Sequence, residues 1–300
     1  MKLNRNGVLL LDKPKGISSN RALVIVKKIF NAKKAGHAGT LDPLATGILP
    51  ILFGEATKFA EFGLESDKKY IAEIALGTKT STGDTEGEII EENFFKNDKN
   101  IDLVLKSFIG VQLQIPPMYS ALKYKGKPLY KYARAGQEIT RKSRPINIKS
   151  IKFVSLRKYF LKVNVTCSKG TYIRTLAEDI GERLGSCAHL SELRRIGVAD
   201  LGIDQTVNLE RLELLANVIP DNLDNELMPI ELFIKNWPFL KLEIKEENNF
   251  LNGQPIDSFL FDTKGNNKCL VRVYGALNNF LGTGQINENK ILRPIRSISK

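Results

Sequence analysis

The sequence predicts a mixed α/β (α+β) protein with a small β-rich segment at its C-terminal end, and three observations carry that prediction. Lys69–Leu76 and Tyr159–Cys167 place apolar residues at every second position, the period of a strand with one covered face. Leu23, Val26, Ile29 and Phe30 recur at helical spacing behind Ser18 and Ser19, either of which can cap a helix. From about Leu240, the short strings NGQPI, CLVRVYG, NNFLGTGQI and ILRPIR are separated by Asn and Gly turns.

Taken in order, Gly7–Leu11 reads as a short buried strand that ends at the DKPKG turn, and the capped helix follows to about Asn31. A glycine-rich loop leads into an apolar run, Ile48–Phe53, and GEATKFAEFG opens a second helix. After the Lys69–Leu76 strand, Gly77–Gly87 is polar and turn-rich, a loop. The lysine- and asparagine-rich stretch Phe95–Asn100 precedes a helix over Asp102–Phe108 and a strand near Val111–Gln114. Strands are expected over Ile146–Leu156 and Tyr159–Cys167, a helix from about Thr171 to Leu184, and a strand over His189–Leu201. Asn208–Val218 and Leu223–Lys235 read as helices, and Pro238 in NWPFL marks the join to the C-terminal segment.

Composition narrows the function classes. The 300 residues suffice for one large domain and a small one. Forty-five Lys and Arg against 33 Asp and Glu give a net charge of +12, enough to attract a polyanion through counterion release. Cys167, Cys187 and Cys269 are widely spaced, and His37 and His189 are the only histidines, so neither a disulfide framework nor a metal site is expected. The four-residue apolar run before Asp12 is too short for a signal peptide, and no stretch approaches the ~18 apolar residues of a membrane span. A soluble protein of the reducing cytoplasm is the expectation.

Gly36–Lys58, GHAGTLDPLATGILPILFGEATK, is the stretch hardest to explain as packing. Its turn-formers suit an ordered loop with unusual backbone angles, and at its centre sits one carboxylate, Asp42, which Pro43 biases toward an extended conformation. An isolated Asp-Pro usually makes only an Asx turn. Tyr119–Pro145 is the second unusual stretch: Lys123, Lys125, Lys127, Lys131, Arg134, Arg141, Lys142 and Arg144 are interleaved with four tyrosines. Cations that neutralise phosphates beside flat rings that stack on unpaired bases suit RNA contact, although a solvated basic loop has the same composition.

The string G-H-x-G-x-L-D-P-x-A-x-G-x-L-P resembles the signature of the tRNA pseudouridine synthase B family, which isomerises the T-arm uridine at tRNA position 55. M-Y-S-A-L-K, K-G-x-x-L-Y-x-x-A-R-x-G and K-G-T-Y-I-R extend the resemblance in the family's order. It implies a catalytic domain over 1–238 with a central, largely antiparallel sheet and an RNA-contacting insertion at about 117–145. A PUA-like RNA-binding domain over 239–300 is implied by F-L-G-x-G-x-I and L-R-P-x-R. In the family's pattern Asp42 is the catalytic residue and Arg174 its ion-pair partner, expected to depress the carboxyl pKa. Tyr70, in D-K-x-Y, and Leu193 sandwich the base, and Tyr70 is the candidate for handling its departing proton. His37 is a wedge into the vacated stack. Gly39, Tyr172, Lys13, Lys123, Lys125, Arg134 and Arg144 are further substrate contacts, with Arg194 and Arg195 possible contacts to the RNA backbone. The glycines of the Asp42 loop are expected to let RNA approach closely.

No cofactor or metal is implied; the partner is tRNA, and a monomer without a protein partner is expected. Two other classes share these features: a non-catalytic tRNA-binding or folding protein, and a guide-RNA-dependent relative. The intact Asp42, Tyr70 and Arg174 weigh against the first, and the Tyr119–Pro145 insertion against the second.

Overall fold

A computed structural model describes residues 1–96, 99–257 and 268–298. Positions 97 and 98 of the Phe95–Asn100 stretch lie outside them.

Strand β1 (Gly7–Lys13) is apolar without alternation because the sheet is covered on both sides there: Leu9 and Leu11 enter the main core, Val8 and Leu10 a second one. Helix α1 (Ser19–Ile29) starts where Ser18 accepts from the Arg21 amide, and it buries Ala22 and Val26. The glycine-rich loop contains a short strand, β2 (Ala35–His37), before β3 (Thr46–Phe53). A 3₁₀ turn, Gly54–Phe59, then leads into α2 (Ala60–Glu65).

In β4 (Lys68–Leu76), Tyr70, Ala72, Ile74 and Leu76 face the main core, as the alternation predicts. Gly77–Gly87 is not wholly loop: β5 (Thr78–Thr80) pairs with β6 (Ile89–Glu92). There follow α3 (Ile101–Lys106) and β7 (Gly110–Gln114). The basic insertion holds a small hairpin, β8 (Lys123–Tyr124) and β9 (Lys127–Pro128), and a short helix α4 (Leu129–Ala133). Long strands β10 (Arg144–Arg157) and β11 (Phe160–Cys167), helix α5 (Ile173–Arg183), β12 (Ala188–Val198), the two-residue β13 (Leu201–Gly202) and α6 (Leu209–Val218) complete this part. Leu201 is buried in the second core. Leu223–Lys235 is not a helix but short 3₁₀ turns at Pro220–Glu226 and Leu232–Ile234. Pro229 lies between them and has no N–H with which to continue a helix.

These strands form a nine-stranded sheet with the path β1-β3-β12-β4-β11-β10-β7. Its pairings are antiparallel except for one seam, where β12 runs parallel to β3 through Arg194–Thr46 and Arg195–Gly47. The C-terminal part has its own core and a second sheet built from β14 (Phe239–Lys241), β15 (Ile256–Asp257), β16 (Lys268–Tyr274), β17 (Phe280–Asn287) and β18 (Ile291–Ser297), with helix α7 (Ile244–Leu251) packed against it. Phe59, Ile234 and Phe280 join the two parts in an apolar cluster.

Candidate active site

Asp42 lies outside any helix or strand, and three groups fix the loop that carries it. Ser19 Oγ, at the start of α1, accepts from the Leu41 amide at 2.7 Å and donates to the Leu41 carbonyl at 2.9 Å. Lys13 Nζ donates to the carbonyls of Pro14 and Ile17 at 2.8 and 2.7 Å, while the Gly16 amide donates to Pro43 O at 2.8 Å. Arg195, 1% exposed, reaches through from β12 and donates to Ile48 O at 2.7 Å and Gly39 O at 3.0 Å. Ser19 and Arg195 thereby satisfy backbone polar groups that the loop would otherwise bury without partners.

Arg195 accounts for two of the loop's glycines. Gly39 and Gly47 have φ of 103° and 101°; a Cβ on the first would press on the Arg195 guanidinium, and one on the second would run into its main chain. Lys13 and Arg195 are both buried: Arg195 is committed to carbonyls of the Asp42 loop and β3, and Lys13 to carbonyls of its own turn, reaching Pro43 O of the loop at 3.5 Å. Burial pushes the Lys13 ammonium down to about 8, with Asp42 opposing the fall. Arg194 instead pairs with Asp12 at 2.7 Å and stays partly exposed.

Across from the loop, α5 follows Tyr172 at its N-cap and brings Arg174 into position in its first turn. The guanidinium is 5% exposed and is used on every side. Nε is 3.0 Å from Asp42 Oδ2, Nη1 donates to Thr82 O at 3.0 Å and lies 3.6 Å from Asp84 Oδ2, and Nη2 donates to Tyr119 O at 2.7 Å. Asp84 is a site residue that the sequence reading does not single out. Its one signal is an Asp on a glycine-flanked turn, the same grammar as Asp42. Asp84 is itself buried, and its Oδ1 accepts from Thr82 Oγ1 at 2.6 Å and the Glu86 amide at 3.0 Å.

Desolvation at the cavity floor pushes the Asp42 carboxyl above its ordinary range; Arg174 and Lys13 pull it back, and Asp84 adds to the rise. The net direction is opposite to the depression expected from Arg174, because burial outweighs a guanidinium that is divided between two carboxylates.

Asp42 and Arg174 line a cavity of about 340 Å³ with Gly39, Tyr70, Tyr172 and Leu193. Register explains why β4 and β12 meet here: in their pairing Tyr70 lies opposite Arg195, and Leu193 opposite Ala72, so Tyr70 and Leu193 share the covered face. Both are 9% exposed, and Asp42 keeps 38% of its side chain open. Burial raises the Tyr70 phenol pKa, which keeps it protonated. His37, on β2, is not among the lining residues. Its Nδ1 is buried without a partner, and burial, aided by Arg195, lowers its pKa, which favours the neutral ring.

The insertion residues Lys123, Lys125, Arg134 and Arg144 are not among the lining residues, although Ser120, Ala121 and Leu122 of the same insertion are. Part of the tyrosine content there is structural: Tyr124 and Tyr132 pack edge to face at 5.9 Å, and Lys127 sits 4.7 Å over the Tyr132 ring.

Comparison with known proteins places this arrangement. Residues 27–173 match the TruB family pseudouridylate synthase N-terminal domain, 174–235 the tRNA pseudouridylate synthase B C-terminal domain, and 238–298 the C-terminal domain of pseudouridine synthase II TruB. The tRNA pseudouridine synthase B of Burkholderia mallei (strain NCTC 10247) is 45% identical over 296 residues, 98% of this chain and 97% of that protein. The chain belongs to the TruB family of pseudouridylate synthases. Its TruB relative from Photobacterium profundum is 44% identical over 300 residues, covering 97% of this chain and 94% of that one. The fold also matches a crystal structure of the archaeal box H/ACA sRNP Nop10-Cbf5 complex, with TM-score 0.70 and 21% identity over 98% of this chain and 86% of that one.

Among the described residues no group of His, Cys, Asp and Glu could hold a metal ion, and no helix is long and apolar enough to cross a membrane.

Proposed function

We propose that this TruB-family protein converts uridine 55 in the T-arm of tRNA to pseudouridine, with Asp42 as the catalytic carboxylate. The observation that carries the reading is the cavity that holds Asp42, its Arg174 partner, and the Tyr70 and Leu193 side chains together. The reaction breaks the ribose C1'–N1 bond, turns the base and joins C1' to C5, with the C5 proton leaving and N1 gaining one. It is an isomerisation: no electron, phosphate or carbon is gained or lost. Attack at C1', addition at C6 and abstraction from C2' all need a carboxylate in the same place.

The uridine must leave its stack to reach this cavity, at a cost of a few kcal/mol that the remaining RNA contacts offset. Tyr70 and Leu193 hold the flipped base, and Tyr172 borders it. A protonated Tyr70 relays a proton only by handing on its own as it accepts one. A neutral His37 ring enters the vacated stack. Lys123, Lys125, Arg134 and Arg144 grip the RNA backbone. Residues 1–238 act as the catalytic domain and 239–300 as a PUA-like RNA-binding domain; the separate cores support that division. The enzyme works as a monomer, without a protein partner, in the cytoplasm, where its free thiols are at home.

Tritium release from a T-arm stem-loop carrying 5-tritiated uridine tests this. Asp42→Asn should abolish release while binding survives. Equal turnover by both proteins would sink the mechanism, and tight binding without wild-type turnover would favour a non-catalytic role.

A further inference from the structure

One edge of the C-terminal sheet carries a second cluster of aromatic and cationic groups. Among the described residues β14 is the terminal strand, paired only with β16. A cavity of about 260 Å³ opens beside it, lined by Phe239, Lys241, Arg272, Tyr274 and Asn278. Phe239 is 60% exposed, yet it is braced. Its ring stands edge-on to Tyr274, with centroids 6.0 Å apart and planes at 87°, and Tyr274 leans on Phe280 at 5.6 Å.

Arg272 lies over both rings, 5.8 Å from the Phe239 centroid and 5.7 Å from that of Tyr274. It is held there: Nε donates to Trp237 O at 3.0 Å and Nη1 to Tyr274 Oη at 3.1 Å. Nη2 donates to no protein atom among the described residues, and Lys241 is exposed without an acidic partner among them. The nearby carboxylate, Glu231, is engaged by the Tyr274 hydroxyl at 3.0 Å. Asn278 sits in an exposed turn with φ of 61°.

We infer that this edge binds an unpaired base of single-stranded RNA together with its phosphate, an assignment that rests on tRNA being the substrate. A braced, exposed ring and a fixed guanidinium plane offer two π-surfaces to a base, which accept any base because every base has a face. Lys241 and the free Arg272 Nη2 supply positive charge for the phosphate beside it, and the Asn278 amide offers a donor and an acceptor to the base edge. The T-arm is paired and looped at the cavity of Asp42; the strand taken here is a different, unpaired part of the same tRNA. The site therefore adds affinity for the whole tRNA without touching the reaction.

Fluorescence anisotropy with three labelled probes tests this on the full chain: a single-stranded oligoribonucleotide of about ten nucleotides, full-length tRNA, and the isolated T-arm stem-loop. Phe239→Ala should weaken the oligonucleotide and full-length tRNA by roughly 5- to 150-fold, the stacking contribution of one base. Stem-loop affinity, the single-turnover rate on it and Tm should stay at wild-type values. Phe239→Tyr should keep binding, and Lys241→Ala should reduce the salt slope for full-length tRNA by about one. Wild-type binding of both single-stranded-containing probes by Phe239→Ala would overturn the site, and so would an equal loss on the stem-loop. A wild-type protein that forms no pseudouridine would refute the catalytic reading instead, and would leave the Phe239 comparison readable.

Discussion

Replacing Arg174 by Lys keeps the charge and removes the fork. The guanidinium meets two carboxylates, Asp42 at 3.0 Å and Asp84 at 3.6 Å, and two carbonyls, Thr82 O at 3.0 Å and Tyr119 O at 2.7 Å. An ammonium is a point charge on a flexible stem and cannot span four acceptors on different sides of a plane. Either Asp42 or the buried Asp84 loses its partner. Breaking a buried pair in that way costs about 3–5 kcal/mol, with each orphaned buried carbonyl adding about 1–3 kcal/mol. Asp42 keeps 38% of its side chain open and can recover part of its loss from water, whereas Asp84 cannot, so the lysine should settle on Asp84 and abandon Asp42. We expect the single-turnover rate of tritium release to fall by about 10²- to 10⁴-fold, the kinetic equivalent of 3–5 kcal/mol, with stem-loop affinity changed far less. A rate within tenfold of wild type would refute the claim that the fork positions the catalytic carboxylate.

Two further substitutions probe the same assembly. Asp84 adds to the rise in the Asp42 pKa, and an acid that acts in its ionised form loses activity as pH falls through its pKa. Asp84→Asn should therefore move the acid limb of the rate profile to lower pH, even where the plateau rate drops; an unmoved limb would show that the two carboxylates are not coupled. Ser19→Ala orphans both main-chain polar groups of Leu41 in a site that is 1% exposed, a loss of about 1–3 kcal/mol that should lower Tm by several degrees and slow turnover. Unchanged thermal unfolding and turnover would remove Ser19 from the clamp.

Strand and helix placement is largely legible in the sequence because the patterns are local. Alternation in Lys68–Leu76 and the serine cap of α1 each need only a few neighbouring residues to be read. Asp42 and Arg174 are legible through family resemblance, and their 3.0 Å approach is a tertiary fact that no spacing along the chain discloses. What stays hidden depends on side chains that cross between elements. Arg195 looks like a surface cation in the sequence, because burial of a charge becomes acceptable only when carbonyls converge on it, here from segments about 150 residues away. The turn-rich Gly77–Gly87 segment conceals Asp84 for the same reason. The 3₁₀ turns after Ile219 escape a reading that weighs helical apolar spacing above the missing N–H of Pro229.

The parallel seam between β3 and β12 also sets a timetable. Arg195 crosses that seam to hold Gly39 O and Ile48 O, bonds that span 156 and 147 residues of chain. At a synthesis rate of roughly 5–20 residues per second, the Asp42 loop waits about 7 to 30 seconds on the ribosome for the arginine that fixes it. During that interval the growing chain carries Asp42 on an unclamped turn, without Arg174 for most of the wait. A nascent chain thus has no working site until the last long strand of the large sheet has emerged, and no N-terminal fragment ending before β12 should modify RNA.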